Sequence, residues 1–252
     1  MGPVLAAAVG LIWGSFVNVL IYRLPRDRSV VFPSSACPSC QEAIAPYDNI
    51  PVLSYLLLLG RCRHCGARIS FRYPLVELLL MTGSLTAYFR RGFSVEYGVE
   101  LAFVAAMLAL IFIDYDHRIL PNVITIPGTL IGLLLAFFRQ PITPTEALAG
   151  AVLGAGILLG VSEVYFRLRR VEGLGMGDVK MMAMVGAFLG WKGVLLTLLA
   201  GSLLGSLVGL ALMVSQGKDL KTALPFGTFL GVAATATLFI GSPLLNWYFN
   251  LF

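Results

Sequence analysis

Few residues in this chain can do chemistry, and they cluster. Only 13 carboxylate side chains serve 252 residues, and three of them adjoin long apolar stretches. Asp114 and Asp116 occur in Ile113-Asp114-Tyr115-Asp116-His117-Arg118, and Asp178 in Gly175-Met176-Gly177-Asp178-Val179-Lys180. An ionisable group at or near membrane depth is costly, so each is a functional candidate by default. Two carboxyl groups at close range do not both ionise easily; one keeps a proton while the other acts as base. The base activates water and the acid protonates a leaving amine, which cleaves a peptide bond without a metal or covalent intermediate. Rival hydrolytic chemistries lack their parts. There is no Gly-x-Ser-x-Gly, and His64 and His117 do not form a His-Glu-x-x-His.

Each acidic motif also has a plainer reading. Asp114 and Asp116 could begin a solvated turn where the chain leaves the membrane. Asp178 could be a helix N-cap. Gly175 and Gly177 allow unusual backbone angles or close approach of another segment. Lys180 either holds Asp178 ionised or is one more inner-face charge.

The four cysteines form a second constellation, Cys37-Pro-Ser-Cys40 and Cys62-Arg-His-Cys65, with 21 residues between the pairs. Two such knuckles supply four thiolates to one tetrahedral zinc ion. Four protein ligands leave no open position, so this zinc is structural. His64 lies inside the second knuckle, where an exposed turn residue is expected.

The elements that must hold these residues are helices in a membrane. Hydrophobic residues make up 58% of the chain, and the mean hydropathy is +0.87. A spanning helix needs ~20 mostly apolar residues. About eight stretches approach that rule: 3–22, 74–89, 95–113, 123–138, 146–166, 179–189, 194–214 and 226–247. The sequence therefore predicts an all-α polytopic membrane protein. Helix 1 covers 1–22, a small cytoplasmic zinc-knuckle insert of turns and short strands covers 23–73, and the remaining bundle covers 74–252.

Orientation follows from charge. With the N-terminus outside, the inner segments 23–73, 114–122, 167–178 and 215–224, with Lys180, hold every Lys and Arg except Arg90, Arg91, Arg139 and Lys192. The motifs of Asp114 and Asp178 then share the inner face. The net charge of +5 is spread over several turns, which suits anionic inner-leaflet lipid rather than nucleic acid. Glycines at 150, 154, 201, 205 and 209 read as helix-packing positions. Glu77 is expected to pair with an arginine of the insert.

The chain resembles the bacterial type IV prepilin peptidases, which are GxGD-type intramembrane aspartic proteases. The resemblance rests on Gly14-Ser-Phe-Val-Asn-Val-Leu-Ile-Tyr-Arg-Leu-Pro25, the two knuckles, Asn49-Ile-Pro51, Gly60-Arg-Cys-Arg63 and Ile69-Ser-Phe-Arg-Tyr-Pro-Leu-Val-Glu77. It continues through Asp114-Tyr-Asp-His-Arg-Ile-Leu-Pro-Asn122, Gly175-Met-Gly-Asp-Val-Lys180 and Pro225-Phe-Gly227. It implies cleavage of the basic leader of type IV prepilins and pseudopilins after a Gly, at the cytoplasmic boundary of the bacterial inner membrane. It also implies N-methylation of the new terminus from S-adenosylmethionine. It assigns the catalytic pair to Asp114 and Asp178, with Asp116 as fallback and Gly175, Gly177 and Lys180 in support. A different class of function, a proton-coupled transporter with an aspartate relay, expects midplane aspartates and a repeated architecture.

Overall fold

The computed structural model describes residues 1–138, 142–170, 174–216 and 224–250. Arg139 and parts of the expected inner segments 167–178 and 215–224 lie outside the described residues.

All eight apolar stretches form helix. The helices are α1 (Gly2–Arg23), α2 (Leu53–Leu57), α3 (Arg72–Arg91), α4 (Val95–His117), α5 (Asn122–Leu135), α6 (Pro144–Arg169), α7 (Met176–Gln216) and α8 (Phe226–Phe249). Helix α7 takes up the sixth and seventh stretches. Its 41 residues would rise about 60 Å, twice the thickness of a bilayer core. Gly190, at φ 67 and ψ −180, breaks it into two. Five of the helices are long and apolar enough to cross a membrane: α1, α4, α6, α7 and α8. Of the other three, α2 has only five residues, and α3 and α5 fall short for different reasons. Helix α5 has 14 residues, a rise of about 21 Å. Helix α3 carries Arg72, Glu77, Arg90 and Arg91.

The insert departs from the expected short strands. Among the described residues it holds only two isolated bridges, Ala36 with Ala43 and Arg61 with Arg68. Each bridge encloses one cysteine knuckle. A turn that tight closes before a ladder can extend. Helix α2 and a 3-10 turn at Pro46–Asn49 fill the space between the knuckles.

The chain divides into two compact units, residues 1–109 and 110–252. In the first, α1 packs on α3 through glycines. A Cβ at Gly10 would lie 2.6 Å from Met81 Cα, and one at Gly14 would lie 2.6 Å from Glu77 Cα. Small residues one turn apart let the two backbones meet. Ser84 on α3 donates to the Ala6 carbonyl at 2.7 Å and bonds the Tyr97 hydroxyl at 2.8 Å. Two of the arginines that break the charge bias, Arg90 and Arg91, both pair with the buried Glu100.

In the second unit α5, α6 and α8 pack on α7. The contact with α6 is backbone to backbone: a Cβ at Gly186 would collide with the Gly150 carbonyl, and the reverse also holds. Gly201 and Gly205 face Leu230 and Phe229 of α8, so these glycines serve packing. Helix α6 opens with a capping box, in which Thr143 Oγ1 accepts from the Glu146 amide and Glu146 Oε2 accepts from the Thr143 amide.

A matched pair of substitutions tests this packing. Gly186→Val must separate two backbones, at a cost of about 3 kcal/mol or more, and should lower the Tm in detergent sharply. Gly156→Ala, on the same helix pair but with nothing within 4 Å, should raise it slightly through helix propensity, by up to ~1 kcal/mol.

Candidate functional site

Three helix ends build the acidic site, all within the second unit. Asp114 lies in the last turn of α4. The sequence reading ends that helix at Ile113, but it continues to His117. The Arg118 amide donates to the Asp114 carbonyl at 2.8 Å and Arg118 turns away at φ 55, which closes the extra turn. Because positions two apart on a helix do not face the same way, the turn separates the two candidate aspartates. Asp114 is buried at 5% exposure, and Asp116 is exposed.

Asp178 sits in the first turn of α7, also buried at 9% exposure. Its amide donates to the Gly175 carbonyl at 3.1 Å. Its Oδ1 is buried and has no hydrogen-bond partner among the described residues.

The third end is the start of α8. A Cβ at Gly227 would lie 3.0 Å from Asp178 Oδ1 and 3.1 Å from Asp114 Cγ. Those two atoms therefore lie no further apart than the sum of these distances. The two carboxyl groups are close enough for their charges to interact directly. The next residue holds Asp114 in place. Thr228 donates to Asp114 Oδ2 twice, from its amide at 2.7 Å and from its hydroxyl at 3.0 Å.

Leu120 closes the floor. A Cβ at Gly177 would lie 2.9 Å from Leu120 Cβ, and one at Gly227 would lie 2.9 Å from Leu120 Cδ1. Gly177 is therefore a close-approach glycine, as its sequence suggests. Gly175 is not crowded: the nearest atom to an added Cβ is Asp178 Oδ2 at 3.4 Å. Neither glycine takes a positive φ. Lys180 is half-buried and points its ammonium at Asn122 Oδ1, 2.9 Å away. Its hydrogen bond is with the start of α5 rather than with Asp178. Thr228 and Leu120 went unassigned in the sequence, although both lie in or beside motifs quoted above.

In the first unit the four cysteine sulfurs all lie within 4.8 Å of one another. None forms a disulfide. Cys37 Sγ and Cys65 Sγ are 3.8 Å apart, the separation set by two metal–sulfur bonds of about 2.3 Å in a tetrahedron. The knuckles repeat one pattern. Gln41 N–H returns to the Cys37 carbonyl and Gly66 N–H to the Cys62 carbonyl, at φ 60 and 70. Backbone amides of Cys40 and Ser39 aimed at Cys37 pull its thiol down to about 6. Cys40 is pushed up to about 11: the Glu42 amide lowers it, but burial and the neighbouring sulfurs outweigh that. Sulfurs this crowded resist joint deprotonation unless a cation sits among them, so the cluster could hold a structural metal ion. His64 is exposed and outside the cluster.

Comparison with known proteins agrees with both halves. Residues 8–91 match the bacterial peptidase A24 N-terminal domain, and residues 101–210 match the type IV leader peptidase family. Three relatives bear the name prepilin leader peptidase/N-methyltransferase. The one from Pseudomonas putida is 40% identical over 91% of this chain and 87% of its own. The Myxococcus xanthus protein is 42% identical over 86% of this chain and 66% of its own. The Pseudomonas aeruginosa protein is 36% identical over 95% and 91%. No solved structure matches the chain.

The thiol cluster makes a direct prediction. Metal analysis of the purified chain should find one ion per molecule, lost on Cys37→Ala and on Cys65→Ala. Because such binding free energy is folding free energy, protease should then cut within residues 23–73. An intact insert without metal would contradict this.

Proposed function

Because the chain belongs to the type IV leader peptidase family, we propose that it is a membrane aspartic endopeptidase that removes the basic leader of type IV prepilins and pseudopilins. The observation that carries the reading is the convergence of Asp114 and Asp178 on Gly227. The same reading gives the chain an N-methyltransferase activity, with S-adenosylmethionine as donor, since the relatives carry that name. The metal of the thiol cluster is zinc by its four-sulfur donor set. The charge distribution supports an inner-membrane protein with its N-terminus outside and the dyad at the cytoplasmic boundary. Family membership removes the support for a proton-coupled transporter.

The geometry divides the labour between the aspartates. Two donors on one oxygen of Asp114 favour its charged form, so it serves as base. Asp178 Oδ1 is buried without a partner, a position suited to a group that carries the proton. The missing side chain at Gly227 leaves a slot between them for the water and the scissile carbonyl. Asp114 takes a proton from the water as it attacks, and Asp178 protonates the departing amine. Gly175, uncrowded and next to Asp178, leaves the approach to that slot clear. Lys180 supports the start of α7 through Asn122 rather than by contact with the dyad.

Purified protein in detergent, incubated with a prepilin, tests the assignment by the mass of the product. Asp114→Asn and Asp178→Asn should each lose at least about 10³-fold in cleavage, while Asp116→Asn cleaves normally. Full cleavage by either dyad variant would end the aspartyl mechanism. Thr228→Val, which deletes one donor to a charged group, should cost tenfold to about a hundredfold. Thr228→Ser should restore most of it.

A further inference from the structure

Helix α2 is inside out for an element in water. Its polar residue, Ser54, is buried. It donates to the Tyr47 carbonyl at 2.8 Å and accepts from the Ile50 amide at 3.0 Å. Its leucines face outward. Leu53, Leu56 and Leu57, with Leu59 just beyond, are between 49% and 85% exposed. Large apolar side chains exposed this densely mark an interaction surface.

The depth of α2 identifies what covers that surface. Helices α1 and α3 run antiparallel in a register fixed at three points. Ser84 bonds the Ala6 carbonyl, Gly14 meets Glu77, and Asn18 donates to the Tyr73 carbonyl at 3.0 Å. Glu77 meets the insert at the Val52 amide, which donates to its Oε2 at 2.7 Å, rather than at the expected arginine. The start of α2 is therefore tied to a level inside the helix pair. Arg72, the first charge of α3, lies five residues from Glu77, about 8 Å along the axis. Arg23, the first charge of α1, lies nine residues from Gly14, about 14 Å. Side chains on a helix lean toward its N-terminus, which for Glu77 is the Arg72 end, so Val52 sits at the shallower side of that range. Interfacial helices bury their apolar face ~5–10 Å into the boundary of headgroups and acyl chains, and the leucines of α2 begin at that level.

The charges that follow the patch fit the same partner. Arg61 and Arg68 oppose each other in an antiparallel bridge, and both are exposed. Like charges directly opposite repel. Among the described residues neither arginine forms an ion pair with a carboxylate. An anion between them removes the repulsion, and an anionic leaflet offers phosphates beside an apolar layer. We propose that the insert is anchored in the membrane. Leu53, Leu56, Leu57 and Leu59 enter the acyl boundary of the leaflet at the Arg23 end, and Arg61 and Arg68 hold the phosphates of anionic lipid there. On the orientation above this is the inner leaflet, so a segment expected to be wholly cytoplasmic dips into the membrane. The anchor goes beyond the peptidase reading and does not depend on it.

The full-length protein in equimolar phosphatidylcholine and phosphatidylglycerol vesicles supplies the test. A parent with Trp191→Phe and Trp247→Phe keeps only Trp13, which lies in α1 and calibrates contact with lipid. Each probe adds Trp13→Phe and either Leu57→Trp or Leu53→Trp, at positions exposed enough to take the larger ring. Tryptophan emission is read with lipid brominated on its acyl chains and, separately, with acrylamide in the water. Both probes should emit to the blue, be quenched by brominated lipid to an extent comparable with Trp13, and resist acrylamide. Brominated phosphatidylglycerol should quench Leu57→Trp more than the same mole fraction of brominated phosphatidylcholine, and Arg61→Gln with Arg68→Gln should erase that difference. Quenching of both probes by acrylamide alone overturns the proposal, since the patch then faces water. Blue emission quenched by neither agent also overturns it, since a second copy or another part of this chain then covers the leucines. Equal quenching by the two brominated lipids overturns the anionic contact.

Discussion

Two carboxyl groups buried side by side in an apolar bundle are expensive, and the second unit is organised around that expense. Each would shed its cost by separating or by reaching water. Neither can, because each is fixed by a different helix end. Asp178 is held by the first turn of α7, whose position is set by backbone contact between Gly186 and Gly150. Asp114 is held by the start of α8. Leu120 fills the space against Gly177 and Gly227. Moving any one of the three ends would pull the pair apart, which is why so many glycines collect near so few charges.

The sequence made part of this legible. Scarce acids beside apolar runs pointed to Asp114, Asp116 and Asp178, and the paired knuckles pointed to the four cysteines. The choice between Asp114 and Asp116 needed the helix end. Once α4 runs to His117, helical geometry turns Asp116 outward. That extra turn was hidden because Asp-Tyr-Asp-His-Arg looks like a solvated turn. Thr228 was hidden for another reason. The shorter of its two bonds to Asp114 comes from a backbone amide at a helix start, and amides leave no trace in side-chain patterns. Pro225-Phe-Gly227 was visible as a motif, yet nothing local says that Gly227 lies between two carboxyl groups separated from it by long stretches of chain.

The two units solve the problem of polar groups in an apolar setting differently. In the first, an insert too small to build much of a core gathers four sulfurs that could hold a structural metal ion. The knuckles are two copies of one local solution, with Gln41 and Gly66 at the same turn position. Glycine suits that backbone and glutamine does not, so the first knuckle carries strain that the second avoids. In the second unit the start of α8 supplies the donors.

Those helix ends do not all act in the same sense, and their magnitudes decide the outcome. Asp114 lies in the last turn of α4, where the macrodipole and the unsatisfied carbonyls repel an anion by ~0.3–1 kcal/mol, and up to ~2 when partly buried. The start of α8 opposes this with two donors to Oδ2. Hydrogen bonds to a charged group contribute about 1.5–3 kcal/mol each, and the N-terminal dipole adds to them. The two donors of α8 therefore offset the dipole penalty of α4 at Asp114. Asp178 has the favourable dipole of α7 but no donor on its inward oxygen. The asymmetry between two chemically identical side chains thus comes from the helix ends around them, and the proposed division into base and acid rests on it.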